Sequence, residues 1–559
     1  MNQFASCPWL ESATFIPLLG ASCVILMATC ACILLNVIAQ LVIPPDPSLP
    51  PQVFYILPYI GSAIEYGKDP IGFLSSGRRK YGDVFTFVLL GRRVTVALGP
   101  KGSNFVLGGK LSQVSAEEAY THLTTPVFGK GVIFDVPNHV FMEQKKFIKS
   151  GLTTENLRAY VNMISEETTT FLNKDLADTC RGKEWGRFHV LDTLAGLTIL
   201  TASRTLQGRE VRSSLDKTFS QVYKDLDGGF TPLNLMFANL PLPSYWRRDR
   251  AQRKMSDFYV NIIKNRQEEH RDDEYDMISA LASREYKDGS PLGDREIAHL
   301  MIALLMAGQH TSSSSGSWAL LHLADRPDVV KQLLAEQEEV LSNEDGNLRP
   351  LTFEDLQKLP VLNSVIRETL RIHPPIHSIM VSLFDSKPYQ PTNRKPQHFK
   401  RKCIDDIVVP ATLASPSSDS TYIVPKGHFL LASPAHSQVD PDVWFNASEW
   451  DHLRWLDPNG VAAQAESLYL GDQGEKVDYG WGVVSKGTES PYQPFGAGRH
   501  RCIGEKFAYV QLGTILSTVV RTIEMRLDSG VPAHNYHTMI VQPKEPCMIQ
   551  FRFRDRQRE

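Results

Sequence analysis

The hydrophobic pattern of the chain opens with one uninterrupted apolar stretch. No charged residue occurs from Ser12 to Ile43, and this stretch exceeds the roughly 20 apolar residues that a helix needs to cross a bilayer. It lacks the basic start of a secretory signal and is longer than a signal's apolar region, so we favour a retained transmembrane anchor over a cleaved signal peptide. A tail, residues 1–11, precedes it, and a proline-rich spacer, residues 44–52, follows it.

The pattern of the remaining body, residues 53–559, predicts both strands and helices. The run DVFTFVLLGRRVTVALG predicts a hairpin about Gly91. From about residue 155 to 274 the apolar spacing is helical, with one break at GGFTPLNLMFANLPLPSYW. The break is equally consistent with an ordinary surface loop and with a membrane-facing or substrate-access loop, because it carries many large apolar residues, among them Phe230, Leu233, Leu235, Met236 and Phe237.

The run REIAHLMIALLMAGQHTSSSSGSWALLHLADRP predicts one long buried helix. A serine-rich run usually marks a linker, but strong helical periodicity flanks this one on both sides. We therefore expect a polar segment, open to bending, at 307–315 inside an apolar helix. The C-terminal third mixes short strands and helices, and no internal repeat is visible.

Composition and charge narrow the possible functions. The chain of 559 residues is 42% hydrophobic and 22% charged, which predicts a large folded core. A net charge of −3 without a long basic block argues against nucleic-acid binding. The eight cysteines match neither a disulfide framework nor a CxxC zinc site, which indicates a reducing compartment. The first Lys or Arg is Lys68, so the body is expected on the cytoplasmic face and the tail in the lumen.

One thiol lies in an unusual setting, the run PFGAGRHRCIGEKFA at 494–508. A structural cysteine prefers apolar neighbours, whereas Arg499, His500 and Arg501 beside a glycine-rich turn are expected to favour the thiolate of Cys502. The sequence therefore predicts a site that binds an anion and uses a sulfur.

The spacing F-x-x-G-x-H-x-C-x-G, from Phe495 to Gly504, resembles the haem-binding loop of the cytochrome P-450 family. The resemblance implies a haem-thiolate fold, mainly α with small β-sheets, in which Cys502 is the axial ligand of the iron of haem b. It also implies that Phe495, Gly496 and His500 contact the haem, since glycine lets the backbone approach the macrocycle.

Two further segments carry the same resemblance. In ETLR, Glu368 and Arg371 share one helix face. Such a pair is more often a solvated surface pair worth under about 1 kcal/mol, but the resemblance implies a buried pair completed by Arg454 of WDHLRW. For AGQHT, the resemblance implies that Thr311 relays protons to iron-bound dioxygen. The alternative interpretation of this motif is a helix kink with a buried histidine. His310, beside Thr311, is typical of the sterol 14α-demethylases.

The segment EEAYTHLTTPVFGKGVIFDVPN, residues 117–138, resembles the substrate-recognition segment of the fungal sterol 14α-demethylases. The resemblance implies that Tyr120 and Lys145 meet haem propionates. It further implies a substrate pocket formed by Tyr120, Leu123, Thr124, Phe128, Val132, Phe134, Phe230, Ala307, His377, Ser378 and Met380. Phe134 is a departure, because the fungal enzymes usually have tyrosine there, and a hydroxyl that would reach a propionate is missing.

A second departure is the polar run VSLFDSKPYQPTNRKPQHFK, residues 381–400, where the family continues with an arginine that binds a propionate. We expect no regular structure in these twenty residues. A retained intron is the favoured explanation. The first two residues, Val-Ser, are what a GTGAGT splice donor encodes, and a lysine codon AAG at the end would supply the AG of a splice acceptor. Twenty whole codons also keep the reading frame. A genuine surface insertion is the alternative. On the intron hypothesis Met380 joins Arg401, the displaced propionate ligand.

The resemblance implies a membrane-bound enzyme of ergosterol biosynthesis. Its reaction would remove the 14α-methyl group of lanosterol or its 24-methylene derivative by three successive oxidations with O2, releasing formate. Electrons would come from NADPH through a separate reductase, with cytochrome b5 as a further candidate donor, because no dinucleotide fingerprint occurs in this chain. We expect a single-pass protein of the endoplasmic reticulum membrane. The alternatives are another sterol or fatty-acid hydroxylase, and a non-catalytic haem or sterol-binding protein disabled by residues 381–400.

Overall fold

The structure of the chain is a computed structural model. It describes residues 9–180, 183–215, 217–231, 234, 237, 239–269, 276–383, 406–414, 421–471 and 475–554. Leu233, Leu235 and Met236 of the predicted loop, and Arg401, lie outside the described residues.

Helices make up most of the described chain. In the N-terminal half they are α1 (Trp9–Val42), α2 (Ala63–Lys68), α3 (Pro70–Tyr81), α4 (Gly99–Leu107), α5 (Glu117–Phe128), α6 (Asn138–Ser150), α7 (Thr154–Phe171), α8 (Ala177–Cys180), α9 (Val190–Ala202), α10 (Arg209–Ser213), α11 (Lys217–Asp227), α12 (Pro243–Glu268) and α13 (Met277–Ala282). In the C-terminal half they are α14 (Asp294–Asp325), α15 (Pro327–Leu341), α16 (Phe353–Leu356), α17 (Pro360–Ile372), α18 (Ala411–Ala414), α19 (Pro434–Gln438), α20 (Val461–Leu470) and α21 (Glu505–Thr522).

The strands form small sheets. They are β1 (Val84–Leu89), β2 (Arg92–Ala97), β3 (Gly186–His189), β4 (Ile379–Ser382), β5 (Ile407–Val409), β6 (Tyr422–Val424), β7 (Phe429–Ala432), β8 (Lys476–Asp478), β9 (Val483–Ser485), β10 (Ile523–Arg526), β11 (His534–Asn535), β12 (Gln542–Pro543) and β13 (Met548–Phe553). The largest sheet has the order β1-β2-β7-β4, and a second has the order β10-β13-β3. β1 and β2 pair antiparallel about Leu90 and Gly91, which confirms the predicted hairpin.

The N-terminal helix α1 contains one candidate membrane span. The stretch Ser22–Val42 has a mean hydropathy of 2.4 and none of it is buried inside the protein. Near its end, the side chain of Asn36 donates to the carbonyls of Tyr55 and Ile56, each at 3.0 Å, and Gln40 donates to the Tyr55 carbonyl at 2.8 Å. Side chains of the helix therefore hold the first segment of the body directly.

The core is built around the long helix α14, which packs against α9 and α12. The serine-rich run inside it is continuous helix, and Ser312 to Ser315 are all buried. Their hydroxyls are satisfied at close range: Ser313 donates to the carbonyl of His310, and Ser314 donates to the carbonyl of Val541. The predicted helix is thus confirmed, and small hydroxyl side chains allow close packing in its middle.

Two buried histidines and one half-buried histidine join α14 to the end of α17 and to β11. His322 and His373 are 2.7 Å apart between their Nε2 atoms, and Nδ1 of His373 is 2.7 Å from Nε2 of His534. The ring of Trp318 stacks on His373 at 3.8 Å between centroids. Burial lowers the pKa of His322 to about 3 and lowers that of His373 well below its ordinary value, so this chain of imidazoles is neutral.

Candidate active site

The loop that carries Cys502 runs from Phe495 to the start of α21. The amide of Cys502 donates to the carbonyl of Phe495 at 2.9 Å, which closes the loop. Gly496 and Gly498 have φ values of 67° and 66°, in the region that favours glycine. A Cβ on Gly498 would lie 2.5 Å from the carbonyl oxygen of Leu107, so this glycine lets the loop pack on the end of α4.

The thiol of Cys502 faces uncovered space. The residue is exposed, and a Cβ on Gly504 would lie 3.8 Å from its sulfur, so the backbone beside the thiol carries no side chain. A second opening occurs on α14. Most of this helix is buried, but a short stretch that includes Ala307, Gly308, His310 and Thr311 is less covered, and we call it the open stretch. Ala307 in this stretch is exposed, and a Cβ on Gly308 would meet no atom within 4 Å. An uncovered thiol and an uncovered helix turn fit a large planar group such as haem.

Two opposing effects act on the pKa of the thiol. Although the surface of Cys502 is open, the protein atoms around it desolvate the sulfur and raise its pKa, and the nearby charges of Lys145 and Arg501 lower it only in part. Arg501 is paired with Glu505 at 2.9 Å, and Arg499 donates to the carbonyl of Gly109 at 2.6 Å. The cations Lys145 and Arg501 thus favour the thiolate, while desolvation by the surrounding protein opposes it. A bound metal ion would supply the missing stabilisation.

Lys145 is buried beneath the Cys502 loop. Its ammonium donates to the carbonyls of Arg499 and Arg501, each at 2.9 Å, and lies 4.6 Å from the ring centre of Trp481. Burial lowers its pKa to about 8. Two of its three N–H groups thus hold the loop, and the third is available for a propionate.

A row of aromatic rings connects two other expected haem contacts. The ring of Phe134 lies 5.3 Å from Tyr120 and 6.1 Å from His500. The hydroxyl of Tyr120 accepts from the amide of Met380 at 2.9 Å, which leaves its proton free to donate. Burial and the charges of Lys145 and Arg499 lower the pKa of His500 well below its ordinary value. Its buried Nδ1 has no hydrogen-bond partner among the described residues, as expected where an acidic group is to bind.

His310 and Thr311 occupy the open stretch of α14 but contact different partners. The Thr311 hydroxyl donates to the carbonyl of Ala307 at 2.8 Å. His310 Nε2 lies 2.8 Å from a carboxylate oxygen of Asp227 and 3.2 Å from the hydroxyl of Tyr223. Asp227 and Tyr223 escaped the sequence analysis, although their spacing of four residues places both on one face of α11.

The expected substrate residues divide into two groups. Leu123, Thr124, Phe128 and Val132 are buried against protein. That these four residues form apolar wall of a substrate pocket stays a prediction. The half-buried residues are Tyr120, Phe134, Phe230, His377, Ser378 and Met380. Phe128 and Phe230 stack at 6.0 Å, which connects the two groups.

The charged triplet expected from ETLR lies in the interior. Arg371 forms two hydrogen bonds with Glu368, at 2.8 and 2.9 Å, and both side chains are 0% exposed. Arg454 lies 3.3 Å from the same carboxylate, and Trp455 donates to it at 2.9 Å. Arg371 also donates to the carbonyls of Gln438 and Ala447. The triplet thus fixes the backbone that precedes the Cys502 loop.

The first residues of the atypical segment are strand. Val381 and Ser382 belong to β4 and pair with Leu430 and Phe429 of β7. Ser382 also exchanges two backbone hydrogen bonds with Ser115. The expectation that all of residues 381–400 lack regular structure is therefore wrong at the start of the segment, where the strand simply continues.

Comparisons with known proteins agree with this geometry. The sequence profile of the family described as Cytochrome P450 matches residues 51–383 and 397–551, with a gap inside the atypical segment. A lanosterol 14-alpha demethylase of Mycosarcoma maydis is 49% identical over 98% of this chain and 95% of its own. A lanosterol 14-alpha demethylase of Candida tropicalis is 47% identical over 90% of each chain, and an eburicol 14-alpha-demethylase of Uncinula necator is 45% identical over 92% of each.

A solved structure supports the fold. The retinoic-acid-bound cyanobacterial protein CYP120A1 superposes with a TM-score of 0.68, covering 91% of this chain and all of its own, at 18% identity. At this identity the likeness concerns the fold alone. With the family profile matched over most of its length and near full-length relatives at 45% identity or more, the chain belongs to the cytochrome P450 family.

Proposed function

We propose that the chain is a sterol 14α-demethylase that removes the 14α-methyl group of lanosterol or its 24-methylene derivative in three successive oxidations, with release of formate. The observation that carries the proposal is the open stretch of α14, where Thr311 and an acid-paired His310 lie inside an otherwise buried helix. The names of the relatives, at up to 49% identity, support the substrate class.

The residues around Cys502 would hold a haem. Cys502 would ligate its iron, and the remaining contacts would come from Tyr120, Lys145, Phe495, Gly496 and His500, with Arg401 as a further candidate. When bound, the haem supplies the oxidising chemistry, using O2 and electrons from NADPH through a separate reductase. The chain itself binds and orients the sterol and delivers protons.

Proton delivery is the part of the mechanism that the side chains of the chain perform. The side chain of Asp227 is 41% exposed, and the imidazole side chain of His310 beside it is 18% exposed. A proton can therefore pass from solvent to Asp227 and then to Nε2 of His310 without crossing apolar protein. His310 would hold this proton at the edge of the open stretch, and the hydroxyl of Thr311 would carry it inward after releasing the Ala307 carbonyl.

Sterol specificity would depend on shape. A sterol is rigid and almost wholly apolar, and the half-buried residues near the open stretch, such as Phe230, Phe134 and Met380, offer apolar surface. Burial lowers the pKa of His377 to about 4, so this side chain is neutral and adds no charge to the wall.

The membrane placement forms part of the proposal. The helix α1 would anchor the enzyme in the endoplasmic reticulum membrane as a single pass. The tail 1–11 would be lumenal, and the body 53–559 would face the cytoplasm, where the reductase binds and cytochrome b5 is a further candidate donor. Support comes from the apolar span Ser22–Val42 and from the absence of Lys or Arg before Lys68.

Release of formate from a sterol labelled at the 14α-methyl carbon tests the function. The full chain is incubated with a fungal reductase, NADPH and either lanosterol or its 24-methylene derivative, with oxygen-free and reductase-free controls. Release that requires both oxygen and reductase supports the proposal. Protein that gives a thiolate-type carbon monoxide spectrum without release, both with residues 381–400 and after their deletion, contradicts it and favours a different substrate.

A further inference from the structure

A second sulfur lies at a group of mixed ligand atoms that shares no residue with the active site. The three side chains of this group, which we name the His189 cluster, are His189 at the end of β3, Glu545, and Cys547 just before β13. Nε2 of His189 lies 3.1 Å from the sulfur of Cys547 and 2.9 Å from a carboxylate oxygen of Glu545. The sulfur lies 3.5 Å from the other carboxylate oxygen. Three different donor atoms thus converge on one point.

The separations are close to those of a metal site. Zinc binds sulfur at about 2.3 Å and nitrogen or oxygen at about 2.0–2.2 Å, so tetrahedral geometry requires donors roughly 3.4–3.6 Å apart. The sulfur–nitrogen and nitrogen–oxygen distances in the cluster would therefore need to increase by less than about 0.5 Å to accept zinc. Glu545 can make this movement, because its side chain is 64% exposed.

The other ring nitrogen of His189 provides a second indication. Nδ1 lies 2.9 Å from a carboxylate oxygen of Asp192, in the first turn of α9, and 3.3 Å from the backbone amide of the same residue, so the shorter contact is the one to the carboxylate. Ligating histidines commonly donate their second N–H to a carboxylate, which fixes the tautomer and the ring orientation. A neutral imidazole donating to Asp192 would present its Nε2 lone pair to Glu545 and Cys547, an arrangement that a cation between these groups stabilises.

The backbone holds the cluster in place. Met548 and His189 are directly paired in the sheet, and the amide of Val190 donates to the carbonyl of Cys547 at 3.0 Å. Cys547 is only 1% exposed, whereas Glu545 faces solvent and leaves access for a water ligand. A buried sulfur with an open fourth position suits a zinc site better than a solvated ion pair.

We propose that His189, Glu545 and Cys547 bind one zinc ion, with water as the fourth ligand and Asp192 hydrogen-bonded to the far nitrogen of the imidazole. Binding requires the thiolate, so the proton of Cys547 is released to solvent as the metal enters. The ion would tie the start of α9 to the C-terminal strand β13 and would stabilise the fold rather than take part in the oxidation.

Zinc binding to the reduced holoprotein tests the proposal. Zinc per chain is measured by equilibrium dialysis and elemental analysis for the wild type, Cys547→Ser, Glu545→Gln and the control Cys180→Ser. Cys180 is the matched control because it is also a thiol near β3, although half-buried, and its hydrogen bond goes to the carbonyl of Ala177. Glu545→Gln keeps the protein testable if the substitution of the buried cysteine prevents folding.

We expect the wild type and Cys180→Ser to bind one zinc ion per chain. Cys547→Ser and Glu545→Gln should bind zinc at least about 10-fold more weakly. Zinc X-ray absorption of the wild type should show one sulfur ligand. The thiolate-type carbon monoxide spectrum should be the same in all four proteins. Zinc affinity that is equal in the wild type and Glu545→Gln, or absorption spectra without a sulfur ligand, would overturn the proposal. These readouts do not depend on demethylase activity.

Discussion

His310 on the long helix α14 is paired with Asp227, the last residue of α11, at 2.8 Å between Nε2 and a carboxylate oxygen. The pairing joins the open stretch of a core helix to a helix end that faces solvent. It therefore gives the candidate active site a polar connection to solvent through the side chain of Asp227.

Replacing Asp227 should slow the reaction without removing the haem. Asp227→Asn keeps the size of the side chain but removes its charge, so we expect formate release to fall by roughly 10-fold to 100-fold, in the lower range for the loss of a proton-transfer group. Asp225→Asn is the matched control, because Asp225 lies on the same helix and contacts only Gln221 among the hydrogen bonds described. Equal turnover in Asp227→Asn and the wild type would exclude this route for protons.

Phe134→Tyr should strengthen haem binding. The ring of Phe134 lies between Tyr120 and His500, so a hydroxyl added to it would approach the group that those residues are proposed to contact. A hydrogen bond to a charged group is worth about 1.5–3 kcal/mol, which corresponds to roughly a 10-fold to 100-fold slower loss of haem. Transfer of haem to apomyoglobin measures this rate, and azole titration measures the accompanying change in inhibitor affinity. Phe134→Leu, which adds no hydroxyl, should show no slower loss, and identical rates for all three proteins would contradict the argument.

Acid should unfold the protein partly through His322. Because burial lowers its pKa to about 3 in the folded state, the unfolded chain binds a proton at this residue below about pH 6.5 that the folded chain does not bind. Stability is therefore lost as the pH falls from about 6.5 towards 3, at up to about 1.4 kcal/mol per pH unit. His322→Asn should lose less stability between pH 7 and pH 5 than the wild type in thermal unfolding. The exposed His139, changed to Asn, should leave the pH dependence as in the wild type, and parallel curves for all three proteins would refute the prediction.

Residues 381–400 should be absent from part or all of the mature messenger RNA. Their removal would join Met380 to Arg401 and place an arginine where β4 now has Val381, opposite Leu430. Sequencing of cDNA across these codons checks the splicing, and uniform retention would contradict it. In the purified protein, the deletion should raise haem content, because the arginine is then available to a propionate on the side of Tyr120.

Local pattern predicted the elements that depend on neighbours in the chain. The hairpin at Gly91, the continuous helix through 307–315 and the Cys502 loop each follow from a short run of residues. Contacts between distant segments were not predictable in the same way. Lys145 bonds to loop carbonyls more than 350 positions away, and His310 bonds to Asp227 on another helix.

Energetics explains the remaining differences. The sequence showed three basic residues beside Cys502, but it could not show that Arg499 and Arg501 bond to other groups or that the surrounding protein desolvates the sulfur and raises its pKa. The His189 cluster depends on the register between β3 and β13, which local periodicity does not reveal. The role of Phe134 as a spacer between Tyr120 and His500 likewise appears only once the rings are placed.

The side chains of Asn36 and Gln40 that hold the backbone of Tyr55 and Ile56 also have a mechanical consequence. In a bilayer crossed by α1, a change in the tilt of the helix would turn the first segment of the body with it, because the two are hydrogen-bonded to each other. A helix whose apolar span is longer than the hydrocarbon core of the bilayer can accommodate the difference by tilting. Lipid composition would then control the angle at which the catalytic body rests on the membrane, and with it which part of the body reaches the lipid from which a sterol must come.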